Sequence, residues 1–172
     1  MIIIEKQISE IKQPYFFYTG KFKDINQNYF IDKINDGCKA DSNNSFKSNI
    51  VGEMTNFKYF NNDIQFLKLM WQIFDIVDKD VKNEYYKLSD AWGLKNGLSH
   101  YTKHHNHIGC YFSGVIYLNK HSQTLYFPEI NKKIEPDIGS FGVFTSFLNH
   151  YCNRNLTEDV KYALSFNCNY GN

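Results

Sequence analysis

Cysteine is scarce in this 172-residue chain: Cys38, Cys110, Cys152 and Cys168 stand far apart, with no CxxC spacing among them. A cysteine-held zinc site is therefore not expected, and a reduced, cytoplasmic protein is the reading, with a disulfide left open. Charge of one sign is also lacking. With 19 basic and 18 acidic residues and no lysine or arginine run, nothing resembles a stripe that tracks phosphates, so nucleic acid is not expected as a partner. No apolar stretch approaches a membrane span, and the start "MIIIEKQISE" has neither a basic leader nor a small-residue cleavage site. No repeat and no linker of domain-boundary type interrupts the chain. One domain over 1–172 is expected, in which 1–91 contribute N-terminal strands, a loop and a helix packed on a barrel, and 92–172 form the strand-rich, site-bearing half. The oligomeric state is left open.

What the chain does have is aromatic bulk. Aromatic residues make up 17% of it, with 13 Tyr and 15 Phe, which favours a sheet whose strands carry large side chains. "INDGCKADSNNSFKSN", Ile34 to Asn49, is rich in turn-forming residues and predicts a surface loop. Beyond it, Ile64, Leu67, Met70, Trp71, Phe74, Val77 and Val81 recur at spacings of three and four, which predicts a helix with Asn62 or Asp63 as N-cap. From there the pattern changes to short β-branched and aromatic runs, "DAWGL", "CYFSGVIYL", "TLYFPEI", "SFGVFTSFL" and "VKYALSFNCNY", separated by turn residues. A mainly β protein follows: a jelly roll with an N-terminal helix packed on its flank.

Six histidines are present, and three of them crowd into "HHNH", His104 to His107. If this stretch is extended, alternation puts His105 and His107 on one face, where two imidazoles can clamp one metal ion. His150, after "GVFTSFLN", is the natural third ligand. The cluster equally suits a solvated loop whose histidines hold nothing. His104 reads as a solvent-facing neighbour, and His100 and His121 carry no assignment.

"HNHIGCYFSGVIYL", followed by "TLYF", "PDIGSFGVFTSFLNH" and "VKYALSFN", resembles the phage and marine-bacterial branch of the Fe(II)- and 2-oxoglutarate-dependent oxygenases. The resemblance covers about Trp92 to Asn167, and Ser113-Gly114-Val115 is its most specific part. It implies a double-stranded β-helix of cupin type, with His105, His107 and His150 holding Fe(II). Most of the wider superfamily has a carboxylate where this chain has His107. The place of the arginine that holds the far carboxylate of 2-oxoglutarate is taken by Lys161, and the following serine by Ala163. Tyr117 and Tyr101, read as inward strand positions, would add hydrogen bonds to the cosubstrate or else pack in the core with a hydroxyl partner, while Trp92 reads as a core aromatic. The activity implied is dioxygenation, giving succinate and CO2, with hydroxylation of a peptide or protein side chain or a small molecule. Contacts to that substrate are expected from the Ile34 to Asn49 loop and the segments before His105. The high Asn, Lys, Ile and Tyr content suits an AT-rich genome and is compatible with a phage origin, in which case the compartment is the host cytoplasm. Two other readings stay open: a three-histidine cupin-type dioxygenase that needs no 2-oxoglutarate, and a jelly-roll binding protein without activity.

Overall fold

The computed structural model describes residues 13–40, 49–81 and 86–171. In chain order they form β1 (Phe17–Lys21), α1 (Gln27–Ala40), β2 (Ile50–Val51), β3 (Glu53–Met54), α2 (Ile64–Val81), β4 (Tyr86–Asn96), β5 (Tyr101–His105), β6 (Phe112–Tyr117), β7 (Leu125–Phe127), a 3-10 turn (Pro128–Ile130), β8 (Lys132–Ile134), β9 (Ser140–Thr145), β10 (His150–Cys152) and β11 (Lys161–Tyr170). Two sheets result, in the orders β1-β9-β6-β11-β4-β3 and β2-β5-β10-β7-β8, and the paired strands run antiparallel.

The six-stranded sheet is covered on both faces. On one, Ala91, Phe112, Ile116, Leu164 and Phe166 pack with Ile34 of α1 and with Phe66, Met70 and Ile73 of α2. On the other, Trp92, Val115, Tyr117 and Ala163 pack with Leu125, Phe127 and Cys152 of the five-stranded sheet. Successive residues of a strand point to opposite faces, so a strand between two layers must be apolar throughout. This accounts for β6, "FSGVIY", in which every residue is buried. Gly93 lets α1 approach the sheet closely, since a Cβ there would lie 2.3 Å from Ile34 Cγ1.

Asp63 caps α2 as the sequence suggests, accepting the Phe66 N–H at 2.9 Å through Oδ1. Its other oxygen accepts from Tyr29 and Lys33 of α1, which ties the two helices together.

The helical face differs in part from the expected one: Met70 and Val77 are buried as expected, but the buried stripe is rotated away from Ile64 and Trp71. Ile64 is 69% and Trp71 63% exposed, whereas Phe66, Leu69, Met70, Ile73 and Val77 enter the core. Two overlapping apolar stripes run along this helix, and only the sheet's position selects between them. The expected loop from Ile34 also needs correction: Ile34–Ala40 are the second half of α1, whose Phe30, Ile34 and Cys38 supply an apolar stripe among the polar residues. This half packs on the helix-side face of the sheet through Ile34 and Cys38. Residues 41–48 of that stretch, like "MIIIEKQISE", lie outside the described residues. No described helix is long and apolar enough to cross a membrane.

Candidate metal centre

His105 is the last residue of β5 and His150 the first of β10, and the two are paired across the ladder. Their ring centroids stand 4.3 Å apart. His107 lies just past β5, where its N–H donates to Ser146 O (2.8 Å) and its carbonyl accepts from Cys110 N–H (3.0 Å). Gly109, with φ +110°, makes the turn between them possible. His107 is thereby brought to 4.9 Å from His105 and 5.2 Å from His150, centroid to centroid. One ligand atom from each imidazole lies within 4.8 Å of the others, and this is the metal-sized group found among the described residues.

The sequence places His105 and His107 at the start of a strand and His150 at the end of one; the structure reverses both. "HNHIGCYF" is not one strand, because the Ile108–Cys110 turn separates β5 from β6. "SFLN" before His150 forms a turn closed by Leu148 N–H to Thr145 O (3.1 Å), despite its apolar residues.

The imidazoles are prepared for a metal in two ways. His105 Nδ1 donates to Lys103 O at 2.8 Å, and His150 Nδ1 to Leu148 O at 2.9 Å. A carbonyl only accepts, so each Nδ1 carries the proton and each Nε2 is left with a free lone pair. Burial also disfavours the imidazolium. It pushes His107 down to about 4 and holds His150 well below, and His105 below, the usual histidine range, with the neighbouring histidines adding to the effect for His107 and His150. Neutral imidazoles are the ligating form.

The three histidines line a cavity between the sheets, shared with Lys161, Tyr117 and Asn96. Lys161 is 2% exposed and opens β11 directly opposite Asn96. Its Nζ donates to Gln123 O at 3.3 Å and to Cys152 Sγ at 3.5 Å, and among the described residues no carboxylate pairs with it. Burial lowers its pKa, an effect that Cys152 partly opposes. Tyr117 is buried beside it, with Nζ 5.9 Å from the ring centroid.

Tyr101 is not brought into this cavity. Thr102 pairs with Cys152 while His105 pairs with His150, so β5 holds one residue more than β10 over the same span. Such a bulge reverses the alternation. Thr102 and His105 both face inward, and Tyr101 instead meets the Arg154 guanidinium at 5.1 Å on the outside. Arg154 is the only arginine in the chain, which leaves Lys161 as the cation inside. Glu129 is occupied in accepting from the Asn149 N–H at 3.1 Å, and Asp90 sits on β4 opposite Asn167. His104 stacks on Tyr151 at 3.9 Å, His100 accepts from Gly97 N–H and His121 from Gln123 N–H.

Two cavity groups escaped the sequence reading. Trp92 Nε1 and Asn96 Oδ1 are buried without a hydrogen-bond partner. Gln123, whose amide spans His100 O (2.8 Å) and Asn153 O (2.7 Å), holds the Lys161 end together. The alternating positions Trp92, Leu94 and Asn96 on a strand paired to Lys161 were the available signal, and it required knowing the pairing.

No protein-family model matches the chain, and no curated protein does. Solved structures do resemble it. The viral collagen prolyl hydroxylase of Paramecium bursaria Chlorella virus-1, determined as a 2-oxoglutarate complex, is 14% identical, with a TM-score of 0.64 over 93% of this chain and 98% of that one. A Pseudomonas putida prolyl-4-hydroxylase is 13% identical, TM-score 0.62, over 90% and 93%. EctD from S. alaskensis, with bound Fe, is 14% identical, TM-score 0.63, over 90% and 72%. Three neutral imidazoles and a buried lysine without a carboxylate partner in one cavity are a donor set that fits Fe(II) and 2-oxoglutarate. The chain has the mainly β, double-stranded β-helix fold of these oxygenases, with helices packed on one sheet.

Proposed function

We propose that this protein is an Fe(II)- and 2-oxoglutarate-dependent dioxygenase of the hydroxylase type, with His105, His107 and His150 as metal ligands and Lys161 and Tyr117 in the cosubstrate pocket. The observation that carries the reading is the placement of Lys161 relative to the histidines. Its Nζ touches Cys152, which follows His150 by two residues on β10. Two residues of strand span roughly 6–7 Å. This suits a five-carbon oxoacid with one end at the metal and the other on a cation. Arginine would grip that far carboxylate with two parallel bonds, whereas Lys161 offers a point charge in a dry pocket, where attraction is stronger than at a surface.

Iron with 2-oxoglutarate supplies oxidation of a C–H bond by O2, with loss of CO2 and formation of succinate. The chain's own residues hold and orient. The His105–His150 ladder and the His107–Ser146 bond fix the ligand set, and Phe127 and Phe144 pack on the His150 ring, keeping water from that side. The substrate class is a peptide or protein side chain or a small molecule; prolyl hydroxylases among the similar structures favour the peptide. β2, which pairs with β5 and places Ile50 in the cavity wall, is where the substrate contacts belong.

Anaerobic titration of the Fe(II)-loaded protein with 2-oxoglutarate tests the reading. A saturable visible charge-transfer band, weakened in Lys161→Ala, is expected. Iron binding without the band would instead favour the three-histidine dioxygenase that needs no oxoacid, a reading to which the lack of any carboxylate in the ligand set contributes.

A further inference from the structure

Trp92 is 4% exposed and lines the histidine cavity, yet its indole N–H meets no acceptor. A buried donor left unsatisfied is destabilising, and an incoming acceptor would relieve that cost. The indole is carried by β4, opposite Ser165 of β11, on the inner face of the six-stranded sheet. His105 and His150 hang from the facing sheet. Trp92 comes to 6.3 Å from His107, ring centroid to ring centroid, so it stands at the metal end of the cavity. Lys161 stands four residues further along from Ser165, on the order of 13 Å of strand, at the other end.

The histidines approach from one sheet, so the coordination positions they leave open are turned across the gap toward the other. On that inner face the neighbouring hydroxyl of Ser113 is committed to Asn167 Oδ1 at 2.8 Å. The Trp92 indole has no such commitment. Three neutral imidazoles also bring no negative charge of their own, so an anionic ligand at the metal end is favoured, and a donor facing it is satisfied at the same time.

We propose that Trp92 is a binding residue whose Nε1–H donates to an oxygen at the keto-acid end of the bound oxoacid, opposite the lysine that holds the far carboxylate. This rests on the 2-oxoglutarate reading above. It assigns the cosubstrate two anchors from the six-stranded sheet, one at each end, in place of one.

The chain has two tryptophans, and the other, Trp71, is 63% exposed, so it serves as an internal reference. In protein labelled with 15N-tryptophan and loaded with diamagnetic Zn(II), two indole N–H signals are followed during titration with 2-oxoglutarate, with calorimetry reporting occupancy. The expected result is a downfield shift and slowed solvent exchange of the Trp92 proton, saturating with occupancy, while Trp71 stays in place. Trp92→Phe, which keeps an aromatic ring and removes the donor, should weaken 2-oxoglutarate binding about tenfold without loss of bound metal. Calorimetric saturation with an unmoved Trp92 signal overturns the inference and leaves the oxygenase reading intact. Metal binding with no 2-oxoglutarate binding in the unmutated protein overturns both.

Discussion

His105 and His150 face each other as the closing pair of the β5–β10 ladder, the end of one strand against the start of the next. Each also returns its Nδ1 proton to the carbonyl two residues before it, Lys103 and Leu148 respectively. Main-chain pairing sets the positions of the two rings, and a local bond sets their tautomers. The arrangement of the two rings is thus set by the backbone alone, and on the proposed reading that lowers the cost of binding an ion there.

Metal content should follow this pair. His105→Ala and His150→Ala are each expected to reduce bound Fe(II) or a Co(II) surrogate to background, while His104→Ala, which loses only a stack on Tyr151, retains it. Equal metal in unmutated protein and the double mutant His105→Ala/His150→Ala would remove the site assignment. His107→Asp should keep the metal and add an anionic ligand.

Lys161 carries a separable effect. On the proposed reading, its replacement by Met removes a charge-assisted contact to the oxoacid, about 1.5–3 kcal/mol or a loss of affinity of roughly ten- to 150-fold. The same change takes a buried amine without a carboxylate partner out of the core, so the melting temperature of the metal-free protein should hold or rise. Calorimetry and thermal unfolding on one preparation check both. Unchanged 2-oxoglutarate affinity would show that the lysine is only structural.

Tyr101→Ala tests the bulge. With Tyr101 on the outer side against Arg154, 2-oxoglutarate affinity should be unchanged, whereas Tyr117→Ala, in the cavity wall, should weaken it. A loss at Tyr101 matching that at Tyr117 would contradict the inward–outward alternation deduced for β5.

Asp63 makes stability depend on acid. Burial alone would raise its pKa, but the Lys33 ammonium, the Tyr29 hydroxyl and the Phe66 N–H together hold it below the usual carboxylate value. A depressed folded pKa means that its contribution is complete above the unfolded value, about 3.9, and is lost as pH falls through the lower folded value. Asp63→Ala should therefore cost about 2 kcal/mol at pH 7, from the lost cap and the orphaned partners, and less as the pH is lowered toward 3. Denaturant unfolding at the two pH values measures the difference.

Gly93→Ala should be destabilised by about 1–3 kcal/mol through contact with Ile34 Cγ1, and the same change should cost less in an Ile34→Ala background, where that atom is gone. Strict additivity of the two changes in a double-mutant cycle would show that α1 is not seated on Gly93.

Strands β4, β6, β7, β9 and β11 were legible because alternation and apolar runs are local signals, and so was the existence of α2 with its Asp63 cap. α1 and β1 were not, since α1 has few apolar residues and β1, "FYTGK", is short and contains a glycine that suggests a turn. The histidines could be chosen by residue type and spacing, but their strand positions came out reversed because "SFLN" reads as strand while forming a turn. A bulge is invisible to a period-two reading, which is why Tyr101 was grouped with the cavity.

By itself, then, the sequence determined what depends on neighbours in the chain: the mainly β class, the periods of its elements, and the residue types able to hold a metal. Only the tertiary structure decided which stripe of α2 is buried, that His150 lies beside His105, that Lys161 shares their cavity, and that Trp92 lines it while its indole N–H has no partner. Those relations join residues tens of positions apart, and no local preference encodes them. They follow from how two twisted sheets bury their inner faces against each other.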